Sequence, residues 1–213
     1  MKSEEEARAW VESALDVPRE TMARLDRFAA LVREENERQN LVARASVGHM
    51  WLRHIADSAQ LLRFVPARDS TWLDLGTGAG FPGMIAALLH QGPVTLVEER
   101  RLRAGFLSRT AEALGVRVEV VAAKAERIAP RPFDVISARA FAPLGRLLEL
   151  GTGFSTNKSI WLLPKGINAE SELAALDPSW QGSFRLEPSV TDADAQIIIA
   201  EGVRRKAGRK KPK

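Results

Sequence analysis

The chain contains no cysteine, so disulfides, thiolate metal sites and thiol nucleophiles are all excluded. No apolar stretch approaches the ~20 residues of a membrane-spanning helix. The N-terminus also lacks the positively charged start and apolar run of a secretory signal, so a cytoplasmic protein is the expectation. Gly-x-Ser-x-Gly is missing, and with it the nucleophile elbow of the hydrolases. A large excess of either charge is lacking too: 31 Lys and Arg against 27 Asp and Glu leave a net +4, too little to name a partner. Its distribution says more, because Met1 to Glu6 is acidic while Val203 to Lys213 is almost wholly basic. That tail is either a solvated end or a segment that touches RNA.

What the chain does have is enough apolar material for a core. With 213 residues and 45% hydrophobic content, one α/β domain with a small appendage is expected. Residues 3–14 fit a short helix anchored by Trp10, and a clearer helix follows Pro18, with Met22, Leu25, Phe28 and Val32 at helical spacing. Ser46 is placed to cap a third helix, on which Val47, Trp51, Ile55, Ala59 and Leu62 make one apolar arc. Beyond a polar linker the pattern becomes alternating. Strands are expected at 71–75, 94–98, 117–121, 133–137 and 159–163, with helices at 82–90 and 101–114. Short apolar runs separated by helices mean a parallel sheet covered on both faces. Segments 182–187 and 196–203 have only a turn-rich stretch between them, so they should pair antiparallel.

The chemistry gathers at Trp72-Leu-Asp-Leu-Gly-Thr-Gly-Ala-Gly-Phe-Pro-Gly83, which has the form of strand, tight turn and helix. Glycines 76, 78, 80 and 83 let bare backbone approach a ligand closely. Two cofactors fit such a turn. Gly78-x-Gly80-x-x-Gly83, with Glu98 20 residues beyond Gly78, satisfies the dinucleotide fingerprint. Asp74-x-Gly76-x-Gly78-x-Gly80 is the register of S-adenosylmethionine-dependent methyltransferases, and a parallel sheet closed by a terminal hairpin favours that second reading. Glu98, ending the second strand, would then accept hydrogen bonds from the ribose hydroxyls, and Ala125 and Glu126 would flank the adenine.

On the acceptor side, Ser137-Ala-Arg-Ala-Phe141 follows the fourth strand, without the Asn or Asp, prolines and aromatic of enzymes that methylate adenine amino groups. Without cysteine, a pyrimidine carbon is also out of reach. The acceptor atom must therefore already be nucleophilic, as guanine N7 is, and needs no general base. Arg139 would sit on guanine O6, a phosphate or the cofactor carboxylate rather than on the attacking lone pair. His54, Asp57 and Ser58 have the residue types of a catalytic triad, but their helical spacing opposes a relay. The simpler expectation is that His54 and Ser58 bond each other or nearby backbone.

Asn40-Leu-Val, Arg53-His-Ile-Ala-Asp-Ser58, Leu73 to Gly83, Ser137 to Phe141 and Leu163-Pro-Lys-Gly166 together resemble the RsmG family, also known as GidB. That resemblance implies a Rossmann-like class I methyltransferase fold: a seven-stranded, mostly parallel α/β sheet with a terminal hairpin, preceded by N-terminal helices. It implies methyl transfer from S-adenosylmethionine to guanine N7 in bacterial 16S ribosomal RNA. The expected cofactor contacts are Asp74, Gly76, Gly78, Gly80, Phe81, Glu98, Ala125, Glu126 and Arg139. Arg139, Lys165, His54 and Asp57 are candidates for a catalytic part, and Arg101, Arg103, Lys165, Arg204 and Arg205 for RNA contacts. The expected organisation is a helical extension at 1–65, a catalytic domain at 66–204 and a basic tail at 205–213. The expected partner is 16S RNA, free or in a small-subunit assembly intermediate, bound by a monomer without a metal or a membrane. Alternatives are a methyltransferase for a protein or small molecule, a nicotinamide-dependent oxidoreductase, or an RNA-binding module with a vestigial pocket.

Overall fold

A computed structural model describes residues 1–206; residues 207–213 of the basic tail lie outside the described residues. Seven strands, β1 (Trp72–Leu75), β2 (Val94–Val97), β3 (Glu119–Val121), β4 (Val135–Ser137), β5 (Ile160–Gly166), β6 (Trp180–Pro188) and β7 (Gln196–Arg205), form one sheet in the order β3-β2-β1-β4-β5-β7-β6. The first five are parallel, while β7 runs antiparallel to both β5 and β6, which is the expected hairpin. Every residue of β1 and β2 is buried, as a central parallel strand covered on both faces requires.

Alternation along the strands divides the core in two. Trp72, Leu162, Ile197 and Ile199 face one layer, and Leu73, Trp161, Leu163 and Ile198 face the other. The first layer is covered by α1 (Glu4–Ala14), α2 (Arg19–Asn36), a helical run at 44–64 called α3, α4 (Gly83–Leu89) and α5 (Arg101–Leu114). The second is covered by α6 (Leu144–Gly151) and α7 (Ala169–Ala174). Residues 1–65 thus share a core with the sheet through Phe28, Ile55 and Leu61, which are fully buried. Burial of each such side chain contributes ~1.5–3 kcal/mol, the main force that holds these helices in place.

Two details of the helices differ from the sequence expectation. Ala7 and Val11 are the buried contacts of α1, while Trp10 is only partly covered and packs against the margin of the core. The third helix is not capped by Ser46 and is not one regular helix. It joins a 3-10 stretch (Arg44–His49), a π stretch (Trp51–Ala56), a single α turn (Asp57–Ala59) and a second 3-10 stretch (Gln60–Phe64). Its first π-turn amides are satisfied from outside: Trp51 N and Leu52 N donate to the two carboxylate oxygens of Glu4, at 3.0 and 2.8 Å. Its far side is tied to the β6–β7 turn, where Val190 N donates to Gln60 Oε1 at 2.9 Å. These ties hold α3 beside the carboxyl ends of the parallel strands.

Candidate active site

The glycine loop is shaped from behind by Asp74. Its Oδ2 accepts from Gly83 N at 3.0 Å, at the start of α4, and its Oδ1 accepts from Ser137 Oγ at 2.7 Å. Ser137 Oγ in turn accepts from Trp72 Nε1 at 2.8 Å. One carboxylate therefore links β1, β4 and the start of α4. It is fully buried, and that desolvation pushes its pKa up from 3.8 to about 6, against the lowering effect of the hydrogen bonds and of the Arg139 charge. A Cβ at Gly83 would lie 2.7 Å from Asp74 Oδ2, so this glycine is required by the clamp. Gly80 has a similar constraint, because a Cβ there would lie 2.9 Å from the Phe28 ring. Gly78 differs: it has a φ of +60° and open space where a side chain would be, with only the Gly76 carbonyl oxygen, at 3.8 Å, close by.

In front of the loop lies a cavity of about 330 Å³, lined among others by Gly76, Val97, Glu98, Ala123, Ala125 and Phe141. Glu98 is 4% exposed, and its two oxygens accept from Gly78 N and Arg100 N, each at 2.9 Å. Each oxygen retains lone-pair capacity for a further donor. Bare glycine backbone, a fixed carboxylate and apolar walls at Val97 and Ala125 fit the ribose, purine and short polar chain of S-adenosylmethionine. Glu126 stands on the rim and is paired with Arg146 at 2.7 Å. Asp74, Gly78, Gly80 and Phe81 do not line this cavity; Asp74 and Phe81 are buried, and Gly78 reaches it only through its amide, which holds Glu98.

Arg139 faces a second, larger cavity of about 890 Å³. Its guanidinium donates to Asp57 Oδ2 at 3.1 Å, to Arg53 O at 3.2 Å and to His54 Nδ1 at 3.0 Å, and it lies 5.2 Å over the Phe81 ring. Because His54 Nδ1 accepts from a group that is always protonated, the ring proton sits on Nε2, which donates to Ser46 Oγ at 2.9 Å. His54 also stacks on Phe81 with centroids 5.0 Å apart. Burial, then the Arg139 and Arg53 charges, hold its pKa down from 6.5 to about 3, so the imidazole is neutral. Asp57 accepts further hydrogen bonds from Gln60 Nε2 and Thr191 Oγ1. The π stretch of α3 thus presents His54 and its neighbour Asp57 to one arginine.

The triad types come together differently from any relay. His54 bonds Ser46 and Arg139 and not Ser58, whose buried hydroxyl has no partner among the described residues. Lys165 lines the larger cavity, yet its amine donates to Ala142 O at 2.8 Å and to Glu172 at 2.9 Å, with the side chain 8% exposed. It is a tie and not a free phosphate contact. Arg101 is exposed at the start of α5, and Arg103 lines the smaller cavity while donating to Asn40 O at 2.8 Å. Arg204 and Arg205 are elsewhere. Ile160, the start of β5, pairs with Glu201, so the end of β7 lies past the amino ends of the parallel strands, away from the cavities. Arg205 pairs there with Glu149 and lies over Trp180. Ser46 stood out in the sequence only as a helix cap, and Gln60, Glu172 and Thr191 not at all; Gln60 and Thr191 act through partners far along the chain, and Ser46 and Glu172 through His54 and Lys165, eight and seven residues away. Phe141 was visible within the motif, but its contact with Gly76 was not.

A seven-stranded sheet with this order, a glycine loop at the carboxyl end of β1 and an acid at the end of β2 define a class I S-adenosylmethionine-dependent methyltransferase. Solved structures share the fold. A putative methyltransferase, yhhF, from Escherichia coli superposes with a TM-score of 0.55 at 17% identity, covering 71% of this chain and 86% of that one. A variant of MtNAS in complex with S-adenosylmethionine superposes with a TM-score of 0.59 at 15% identity, covering 90% and 82%. A family model described as rRNA small subunit methyltransferase G (GidB) matches residues 21–197. Ribosomal RNA small subunit methyltransferase G of Zymomonas mobilis subsp. mobilis is 47% identical over 97% of this chain and 98% of its own length. The protein of that name from Rhizorhabdus wittichii is 52% identical over 94% of each. The chain belongs to the ribosomal RNA small subunit methyltransferase G family.

Proposed function

We propose that the protein methylates N7 of a guanine in 16S ribosomal RNA by positioning and desolvation, without a general base. The observation that carries this reading is the state of the acceptor cavity. Among the described residues that line it, every acid and the histidine already has a partner: Asp57 with Arg139, Glu172 with Lys165, Asp192 with Arg53, and His54 with Arg139 and Ser46. No such group is free to take a proton from an amine or hydroxyl. Guanine N7 asks for none, because its lone pair is already exposed and its methylation releases no proton.

S-adenosylmethionine, when bound, supplies the electrophilic methyl group. Gly76 and Gly78 give its approach path, Glu98 binds the ribose hydroxyls, and Val97 and Ala125 pack on the adenine. Arg139 is fixed by Asp57 and His54, and its exposed edge orients guanine O6 or a flanking phosphate. Arg101 and Arg103, beside the smaller cavity, grip the RNA backbone. The partner is 16S RNA or a small-subunit assembly intermediate, met in the cytoplasm by a monomer that uses no metal.

Calorimetry with S-adenosylhomocysteine tests the cofactor assignment. Binding tighter than that of a nicotinamide dinucleotide is expected, and Gly78→Val removes it while circular dichroism stays unchanged. Preference for the dinucleotide, or unchanged affinity in the variant, contradicts the pocket assignment.

A further inference from the structure

The two cavities share three lining residues, Ala140, Phe141 and Ala142. These form the partition that a methyl group has to cross. The partition hangs between two fixed points. Upstream, Arg139 is tied to Asp57, His54 and Arg53 O. Downstream, Ala142 O accepts from Lys165, and Leu144 N donates to Glu172 at 2.7 Å. Between them, Ala140 has a φ of +51°, a left-handed conformation that is strained for a residue with a Cβ. The Phe141 ring leans on Gly76 so closely that a Cβ on that glycine would overlap ring carbons. The ring therefore covers the first glycine, part of the surface a cofactor has to approach.

We propose that Phe141 is a movable partition that makes acceptor binding depend on cofactor binding. In the structure the ring rests on Gly76. When the cofactor enters, the ring turns about the strained Ala140 toward the acceptor cavity, where it becomes the face on which the acceptor purine stacks. The anchors at Arg139 and Ala142 stay in place, so the motion is confined to one side chain and its hinge. Cofactor therefore binds first and RNA second. This rests on the cofactor and acceptor assigned above.

The experiment uses the full chain, S-adenosylhomocysteine as an unreactive probe, and small ribosomal subunits from cells that lack the gene. Phe141→Trp places an indole at the partition. Its emission, taken as the difference from the unaltered protein, shifts when S-adenosylhomocysteine is added without RNA. Saturating S-adenosylhomocysteine strengthens subunit binding by the unaltered protein at least about fivefold; in Phe141→Ala the coupling falls below about twofold while the probe still binds. The partition is overturned by an unshifted emission despite probe binding, or by full coupling in Phe141→Ala. Loss of probe binding in a folded Phe141→Ala overturns it too, since the ring would then be a fixed cofactor contact. An emission shift with no subunit binding in either state counts against the RNA substrate and upholds the moving ring.

Discussion

At the scale of single residues, Asp74 has the clearest consequence. The unfolded carboxyl titrates near 3.8 and the folded one near 6, so between these values the native state keeps a proton that the unfolded chain has released. Its contribution is full below that window and is lost as pH rises through it. Asp74→Asn removes the titration. In urea denaturation from pH 4 to 7, the unaltered protein should lose ~3 kcal/mol relative to the variant, about two units at ~1.4 kcal/mol each. A pH-independent difference would show that Ser137 and Gly83 hold the carboxyl ionised. The sequence revealed an acid two places before the first glycine, and in the folded protein that acid clamps the loop from behind. Its strand partners Leu96 and Ser137 are brought beside it only by the assembled sheet.

At the scale of elements, strands and the terminal hairpin were legible because buried parallel strands are short unbroken apolar runs. The irregular helix α3 was not. Its apolar arc marks one helical face, but the 3-10 and π turns follow from Glu4 and Gln60, residues distant in sequence or bonded to distant ones. Those turns deliver His54 to Arg139. His54 is held neutral, with its pKa near 3 against an unfolded 6.5, so its contribution is full above pH 6.5 and is lost as pH falls through this window. His54→Gln keeps an acceptor for Arg139 and a donor for Ser46 without titrating. Its stability relative to the unaltered protein should rise as pH falls from 7 to 4, measured by thermal unfolding. His54→Leu, with no acceptor, should cost about tenfold in kcat/KM near pH 7, whereas His54→Gln retains most of it. Equal loss in both variants would mean that the hydrogen bond to Arg139 does not position anything.

At the scale of the molecule, the sheet order decides which charges are near the site. The sequence showed basic residues in two groups without their relation. Antiparallel β7 carries Arg204 and Arg205 past the amino ends of the parallel strands, away from the cavities, while the β2–α5 turn and α5 bring Arg100 and Arg103 to the smaller cavity, with Arg101 exposed next to Arg100. The glycine motif pointed from sequence alone to the smaller cavity, which Gly76 lines. The acceptor side needed the fold, because its residues come from α3, β4, β5 and the β6–β7 turn. In the proposed function, these two cavities carry one methyl from S-adenosylmethionine to a guanine N7 of 16S RNA. Small subunits from cells lacking the gene, incubated with the purified protein and S-adenosylmethionine and mapped by mass spectrometry, test it most directly. One N7-methylguanine should appear in the 16S RNA and be absent without the protein or with Gly78→Val. No new methyl group, or one on any other atom, would rule out guanine N7 as the acceptor.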